Sequence, residues 1–567
     1  MSNQGVTFKL VADVLVVGAG PVGLTLALDL AWRGVDVLVL ETRHRGEPPS
    51  VKCNHVAART MEMFRRLGAA TKVREAGLPA DYPNDVAYRT AFLGTELTRV
   101  PIPCRADRYS ATSGPDTWWP TPEPPHRINQ IYLEPVLFAH LEAQPGVRVR
   151  NRTSLQEFEQ SADHVTARAT DLDSGQDIEI ACKFMVGCDG GNSMVRKAIG
   201  AKLSGDPVLQ RVQSTYIRAP HLLPMLRERG GTPAWASFTM NPRRCGNVYA
   251  IDGREKWLIH TYMYEHETDF DAVDRNTGIR EVLGIGPAFE YELLSREDWI
   301  GRRLVVDKFR DRRVFICGDA CHLWVPYAGY GMNAGIADAT NLSWLLAAHL
   351  DGWADEAILD SYQAERLPIT EQVSHFAMNH ALAMNKARKE IPREIEADGA
   401  EGERVRAAIG KAAYDLNVQQ YCCAGLNFGY YYQGSPIIAY DGDTPPPYSM
   451  GEFTSSTVPG ARVPHLWLAP GRSLYDALGP YYTLLRFDTA VDVSALTTAA
   501  KDAHMPLTVL DVPRQIASDA YRHALLLARP DQHVAWRGDA LPADPRALVE
   551  VLRGAGPGAA PVAARNV

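Results

Sequence analysis

Residues 12–41 read ADVLVVGAGPVGLTLALDLAWRGVDVLVLE, and this stretch sets the architecture of the chain. Ala12–Val17 is a run rich in β-branched residues, and Asp36–Leu40 is a second run of the same kind. Between them Pro21–Arg33 has helical periodicity, with Gly34 as its terminator. Two parallel strands joined by a helix make a right-handed βαβ unit. The turn from strand to helix is Gly18-x-Gly20-x-x-Gly23. Gly18 permits the tight turn, Gly20 lets the backbone approach a pyrophosphate, and Gly23 allows the helix to pack closely on the strand. The N–H groups and positive dipole at the helix start attract phosphates. Glu41 closes the second strand, where a carboxylate accepts hydrogen bonds from ribose hydroxyls. Together these features predict dinucleotide binding; alone they do not separate FAD from NAD.

Two later motifs narrow the ligand. Gly187-Cys188-Asp189-Gly190-Gly191-Asn192-Ser193, followed by Val195, Arg196 and Gly200, reads as a strand-to-helix turn. Asp189 either caps that helix or reaches a ligand. The third motif is Cys317-Gly318-Asp319-Ala320-Cys321-His322, then Pro326, then Gly329-Tyr330-Gly331-Met332-Asn333-Ala334-Gly335. A strand, RVFIC, delivers Asp319 to a turn where it can hold a polyol hydroxyl. The glycine-rich loop then feeds a helix whose N-terminus points at developing negative charge, such as that of a reduced flavin ring. At this point the ligand becomes FAD.

The bulk composition bounds the alternatives. A chain of 567 residues implies two to four domains at roughly 100–200 residues each. Hydrophobic content of 46% and charged content of 22% are those of a soluble globular protein. The net charge of −8 comes without any basic run, which removes nucleic acid as a partner. The N-terminus lacks a charged leader and a cleavage site, and no stretch approaches the ~20 apolar residues that cross a bilayer, so neither a signal peptide nor a membrane anchor is expected. The 9 cysteines show no metal-ligand or disulfide spacing, so no metal is expected and a cytoplasmic setting fits best.

Taken in this order and at these separations, the three motifs resemble the group A FAD-dependent aromatic hydroxylases of the p-hydroxybenzoate hydroxylase and phenol hydroxylase type. The resemblance covers residue 10 to about residue 370, ending in DSYQAERLPI. It implies a Rossmann-like FAD domain (about residues 1–400) with an inserted antiparallel substrate-binding sheet (about 76–105 and 205–300). A helical and linker segment (401–455) follows, and residues 456–567 resemble the thioredoxin-like C-terminal domain of the phenol hydroxylase branch, here without Cys-x-x-Cys. The last residues, GAGPGAAPVAARNV, read as a frayed tail.

Carried over motif by motif, the resemblance places Gly18, Gly20, Gly23 and Glu41 on the ADP half of FAD. Arg59 and Gln130 fall where the family contacts the flavin's phosphate or ribityl region. Asp189 is associated with FAD and NADPH, Asp319 with the ribityl chain, and Gly331, Met332 and Asn333 with the isoalloxazine; Pro326 precedes that loop. Tyr330 stands where many members carry Gln or Phe. The implied activity is hydroxylation of a phenolic substrate by NADPH or NADH and O2 through a flavin C4a-hydroperoxide, by a soluble homodimer. A larger polycyclic or polyketide-like aromatic is the alternative substrate, with hydroxylation or Baeyer–Villiger-type insertion, and a flavin protein that binds an aromatic without oxygenating it is the alternative class. No Trp-x-Trp-x-Ile-Pro segment is present, which speaks against a halogenase.

On the substrate side, Asn54 aligns with the family's hydroxyl-contacting position and His55 is one residue later. Asn cannot act as a base; His55 either takes the phenolic proton or hydrogen-bonds a neighbouring loop. Tyr262, Tyr264 and His260 are expected on one face of the inserted sheet, lining a pocket or forming a structural aromatic face. His322 is expected to pack locally, and Trp118 and Trp119 to cap the site or cover the core.

Overall fold

The computed structural model describes residues 8–556, so all but the first three residues of the expected tail lie outside the described residues. Strand Phe8–Val17, helix Pro21–Trp32 and strand Val37–Leu40 form the predicted unit. They sit in an eight-stranded sheet whose parallel core runs, in spatial order, Val314–Ile316, Asp177–Gly187, Phe8–Val17, Val37–Leu40 and Val147–Arg150. The register brings Val17 and Ile316 each level with Gly187. Ladder bonds continue past the strand ends: Cys188 N donates to Val17 O (2.8 Å) and Cys317 N to Gly187 O (3.0 Å). Neighbouring strands stand about 4.8 Å apart, so motifs more than a hundred residues apart in sequence open side by side.

The inserted sheet has nine strands and spans slightly more chain than expected. It contains Val86–Arg89, Glu96–Val100, Leu203–Arg218, Ala236–Thr239, Gly246–Ala250, Lys256–Tyr262, Glu292–Arg296, Trp299–Val306 and His322–Trp324. It is antiparallel except where Ala236–Thr239 runs parallel to Val86–Arg89, a departure from the expected all-antiparallel sheet. Those two strands are far apart in sequence, so no hairpin forces them antiparallel. His322–Trp324 emerges directly from the third motif, so the same few residues serve both sheets.

Helices Tyr330–Leu350, Asp360–Lys389 and Gly399–Tyr421 cover the join between the sheets. The C-terminal unit has a four-stranded sheet in the order Leu507–Asp511, Tyr482–Arg486, Leu525–Ala528, Val534–Gly538, with helices Ser494–Asp502 and Pro545–Leu552. Its βαβ half followed by a hairpin and helix is the thioredoxin-like arrangement. Among the described residues no helix is long and apolar enough to cross a membrane.

The two units are joined through buried charge. Arg529, fully enclosed, donates to Glu365 (Nη2 to Oε2, 2.7 Å) and to Asp531 (2.8 and 3.0 Å), while Asn341 donates to Glu365 (2.7 Å). Removing one member of a buried pair leaves the other charge desolvated and unmatched, at a cost of about 3–5 kcal/mol. Arg529→Met is therefore expected to lower unfolding free energy by about that amount, read by chemical denaturation. A loss near zero would show that this network does not hold the units together.

Candidate active site

The first turn separates the three glycines by function. A Cβ on Gly18 (φ +104°) would lie 2.5 Å from Cys188 O, and one on Gly23 would lie 2.0 Å from Gly18 O. A Cβ on Gly20 would meet nothing within 4 Å. Gly18 and Gly23 thus serve close packing of the protein on itself. Gly20 keeps open the space in front of the helix N-terminus, a cradle of the kind a pyrophosphate fills. At the end of the second strand Glu41 accepts from Ala19 N (2.9 Å) and Arg43 N (2.9 Å). Burial pushes its carboxyl up, but Arg43 and the Ala19 N–H outweigh that and hold it below the ordinary value of 4.5. Arg43 bridges to Glu134 (2.6 Å), which accepts from Gln130 (3.0 Å), so Gln130 stands on the same side of the groove as Glu41.

Asp319 is exposed between the buried Gly318 and Ala320, projecting from its turn into the groove. Beneath it, His322 donates from Nε2 to Asp338 (2.7 Å), and Arg366 donates to the same carboxylate (2.8 Å). His322 is therefore part of a buried ionic triad rather than simple packing. An open Gly20 cradle, an unengaged Asp319 and a carboxylate at the strand end suit the polyol and diphosphate of FAD.

Four expected cofactor contacts are placed differently. The helix begins at Tyr330, so Gly331, Met332 and Asn333 form its first turn instead of a loop; Gly329 at φ +61° makes the sharp entry that permits this. Asn333 faces inward, accepting from Ala57 N and Thr60 Oγ1 (2.8 Å each) and donating to Gly329 O (2.7 Å) and His55 O (3.1 Å). Met332 is buried in the core, which leaves Gly331 and the exposed Pro326 facing outward. Asp189 caps helix Met194–Ala198, accepting from Met194 N (2.7 Å), Val195 N (3.1 Å) and Ser193 Oγ (2.5 Å). Arg59 turns away from the groove to Glu62 (2.8 Å), Gln532 and the Asp531 carbonyl, serving the domain junction. The sequence offset alone could not report that the third domain needs this cation.

On the substrate side, His55 lies against Gly329, and Arg127 donates from Nη1 to its Nδ1 (2.5 Å). An arginine only donates, so Nδ1 is an acceptor and Nε2 carries the proton of the neutral ring. Burial, then Arg127 and His126, push this imidazole well below 6.5. In this tautomer His55 presents an N–H at Nε2, while the lone pair a base would use is taken up by Arg127 at Nδ1. Asn54 accepts from Asn129 Nδ2 (2.5 Å), and Asn129 caps the helix that Gln130 begins (Ile131 N, 3.0 Å). Tyr262 is buried; its hydroxyl and that of Tyr249 accept from Asn247 Nδ2 (2.9 and 3.2 Å). Tyr264 lies past the strand end, 42% exposed, so it does not share Tyr262's face. His260 packs edge-on against Tyr249 and Trp299, and burial lowers it to about 4. Trp118 is 53% exposed, while Trp119 packs on Phe428. Arg127, Arg388, Tyr327 and Asn247, which complete this wall, went unnoticed in the sequence because none belongs to a motif. Among the described residues no cluster of His, Cys, Asp or Glu could hold a metal.

A family model described as an FAD binding domain matches residues 11–377, and one described as aromatic-ring hydroxylase, C-terminal, matches residues 456–555. The chain belongs to the FAD-dependent aromatic-ring hydroxylases. It is 29% identical over 555 residues to the FAD-dependent monooxygenase apdD of Emericella nidulans, covering 93% of this chain and 88% of the relative. It is 30% identical over 554 residues to a putative polyketide hydroxylase of Streptomyces halstedii, covering 92% and 93%. The solved structure of chromopyrrolic acid-soaked RebC with bound 7-carboxy-K252c superposes with a TM-score of 0.85 at 35% identity, covering 97% of this chain and 100% of that one.

The glycines give a paired prediction. Gly20→Ala is expected to retain little FAD while its apoprotein melts at the temperature of the parent apoprotein, whereas Gly23→Ala is expected to melt lower even without FAD. Normal FAD content in Gly20→Ala would show that the open space is not the pyrophosphate cradle.

Proposed function

We propose that the chain is an NAD(P)H-consuming monooxygenase that transfers one oxygen atom of O2 to an electron-rich aromatic ring. The observation that carries this is the meeting of three strand ends on one groove, opposite an aromatic wall built from the inserted sheet. Bound FAD, reduced by NADPH or NADH, supplies the oxygen chemistry. Glu41 and Gln130 hold its ADP side and Asp319 its ribityl side.

The remaining roles belong to the protein. His55 donates from Nε2 to a substrate oxygen, Arg127 fixes that tautomer, and Asn54 anchors the segment through Asn129. Tyr262, kept a neutral phenol by burial and by Tyr327, bounds the chamber. Trp235, Tyr249, Tyr262 and Tyr327 set four aromatic rings along this wall. Those four rings, with relatives described as a polyketide hydroxylase and as holding bound 7-carboxy-K252c, favour a polycyclic aromatic over a simple phenol.

Purified holoprotein, given NADPH or NADH and a panel of phenols and hydroxylated polycyclics, is expected to oxidise reductant faster with a polycyclic present and to yield stoichiometric oxygenated product. Reductant use that no aromatic stimulates would favour a non-oxygenating aromatic-binding flavoprotein. The pH profile of the stimulated rate is expected to lack a His55-dependent limb at about pH 6 to 7. A limb there that disappears in His55→Asn would restore the role of base.

A further inference from the structure

Two arginines beside the aromatic wall, Arg127 buried and Arg388 half-buried, lack a carboxylate partner. Arg127 is 4% exposed; its guanidinium lies 4.6 Å from the Trp235 ring and 5.9 Å from that of Tyr421. Nη1 donates to His55, and Nη2 is buried without a hydrogen-bond partner. The nearby Asp116 is already paired with Arg108 (2.5 Å). Arg388, in the last turn of helix Asp360–Lys389, lies 3.9 Å from the centroid of Tyr262. Its Nη2 donates to Tyr327 (3.1 Å), Gln210 (3.3 Å) and Asn385, all neutral, while Nη1 is buried without a partner.

Most of the other buried arginines are matched to a carboxylate, Arg196, which donates to the Ala320 carbonyl, being an exception. Arg366 has Asp338, Arg462 has Glu62, and Arg529 has Glu365 and Asp531. A guanidinium withdrawn from water without a counter-ion is costly. Cation–π contact offsets part of that cost but leaves the unfilled N–H groups. Tyr262, Tyr249 and Trp235 connect Arg388 to Arg127 as a continuous aromatic surface: Asn247 joins the two tyrosines, and Tyr249 packs on Trp235 at 5.6 Å. The fork of a guanidinium fits the two oxygens of a carboxylate.

We propose that the substrate is an aromatic carboxylic acid, its carboxylate paired with Arg388 and an oxygen of its far end with Arg127 and His55. This rests on the monooxygenase reading and narrows its substrate to anions. The flat ring lies along the tyrosine–tryptophan wall, and the charges at its ends fix which edge faces the Gly329–Gly331 turn. Arg388 is thus a specificity-determining residue, not part of oxygen transfer.

The test is equilibrium binding to the FAD-loaded protein of three matched probes: 3-hydroxy-2-naphthoic acid, its methyl ester and its primary amide. Tryptophan quenching reads the affinity. The acid is expected to bind about 30-fold or more tightly than ester or amide, since a desolvated charge pair is lost in both. In Arg388→Gln the acid is expected to fall to the affinity of the ester, with FAD content as in the parent, and Arg388→Lys is expected to lie between. Equal affinity of acid and ester for the parent, or binding by neither, overturns the proposal without involving the variants. An unchanged acid-to-ester ratio in Arg388→Gln overturns it as well. Oxygen transfer is not read here, so a failure leaves the monooxygenase reading to its own assay.

Discussion

Everything at the groove depends on the register of three parallel strands. Because Val17 and Ile316 both align with Gly187, the turns that follow them begin at one level and one strand spacing apart. A slip of one residue in any of them would bury the wrong face and misplace its turn. The glycines record how tight the junction is: Gly18 abuts the Cys188 carbonyl, and Gly335, in helix Tyr330–Leu350, would place a Cβ 2.9 Å from Gly318 Cα. No larger side chain fits where those segments touch.

From that junction the two sheets share residues. Strand His322–Trp324 leaves the Asp319 turn and pairs with Trp299–Val306, which in turn pairs with the long strand Leu203–Arg218. The aromatic wall is thereby referenced to the groove through hydrogen-bonded ladders rather than through a flexible linker. The His322–Asp338–Arg366 triad ties the same turn to two covering helices. Positioning of substrate against cofactor is what such a protein contributes when the cofactor carries the difficult chemistry.

The FAD half was legible in the sequence because its requirements are local. A strand, a glycine turn and a terminal acid must follow one another within thirty residues, and Gly18 to Glu41 do. Contacts that depend on distant chain were not legible. Arg59 is the second residue of helix Ala58–Arg66, at a position that suits a phosphate, yet Glu62 and the C-terminal unit claim it. Asn333 faces the residues on either side of Arg59, Ala57 and Thr60, instead of the groove for the same reason. His55 was located, but its proton inventory is set by Arg127, whose side chain reaches it across 72 residues of sequence. The substrate wall carries no motif at all: Tyr249, Tyr262, Tyr327 and Arg388 meet only when sheet and helix pack.

The most direct test of the account is a single turnover in 18O2. Holoprotein reduced by NADPH without oxygen, mixed with a hydroxylated polycyclic acid and then exposed to 18O2, is predicted to place one labelled atom on the aromatic product. Label recovered only in hydrogen peroxide or water, with the aromatic unchanged, would contradict the claim that the groove and the wall together form an oxygenating site.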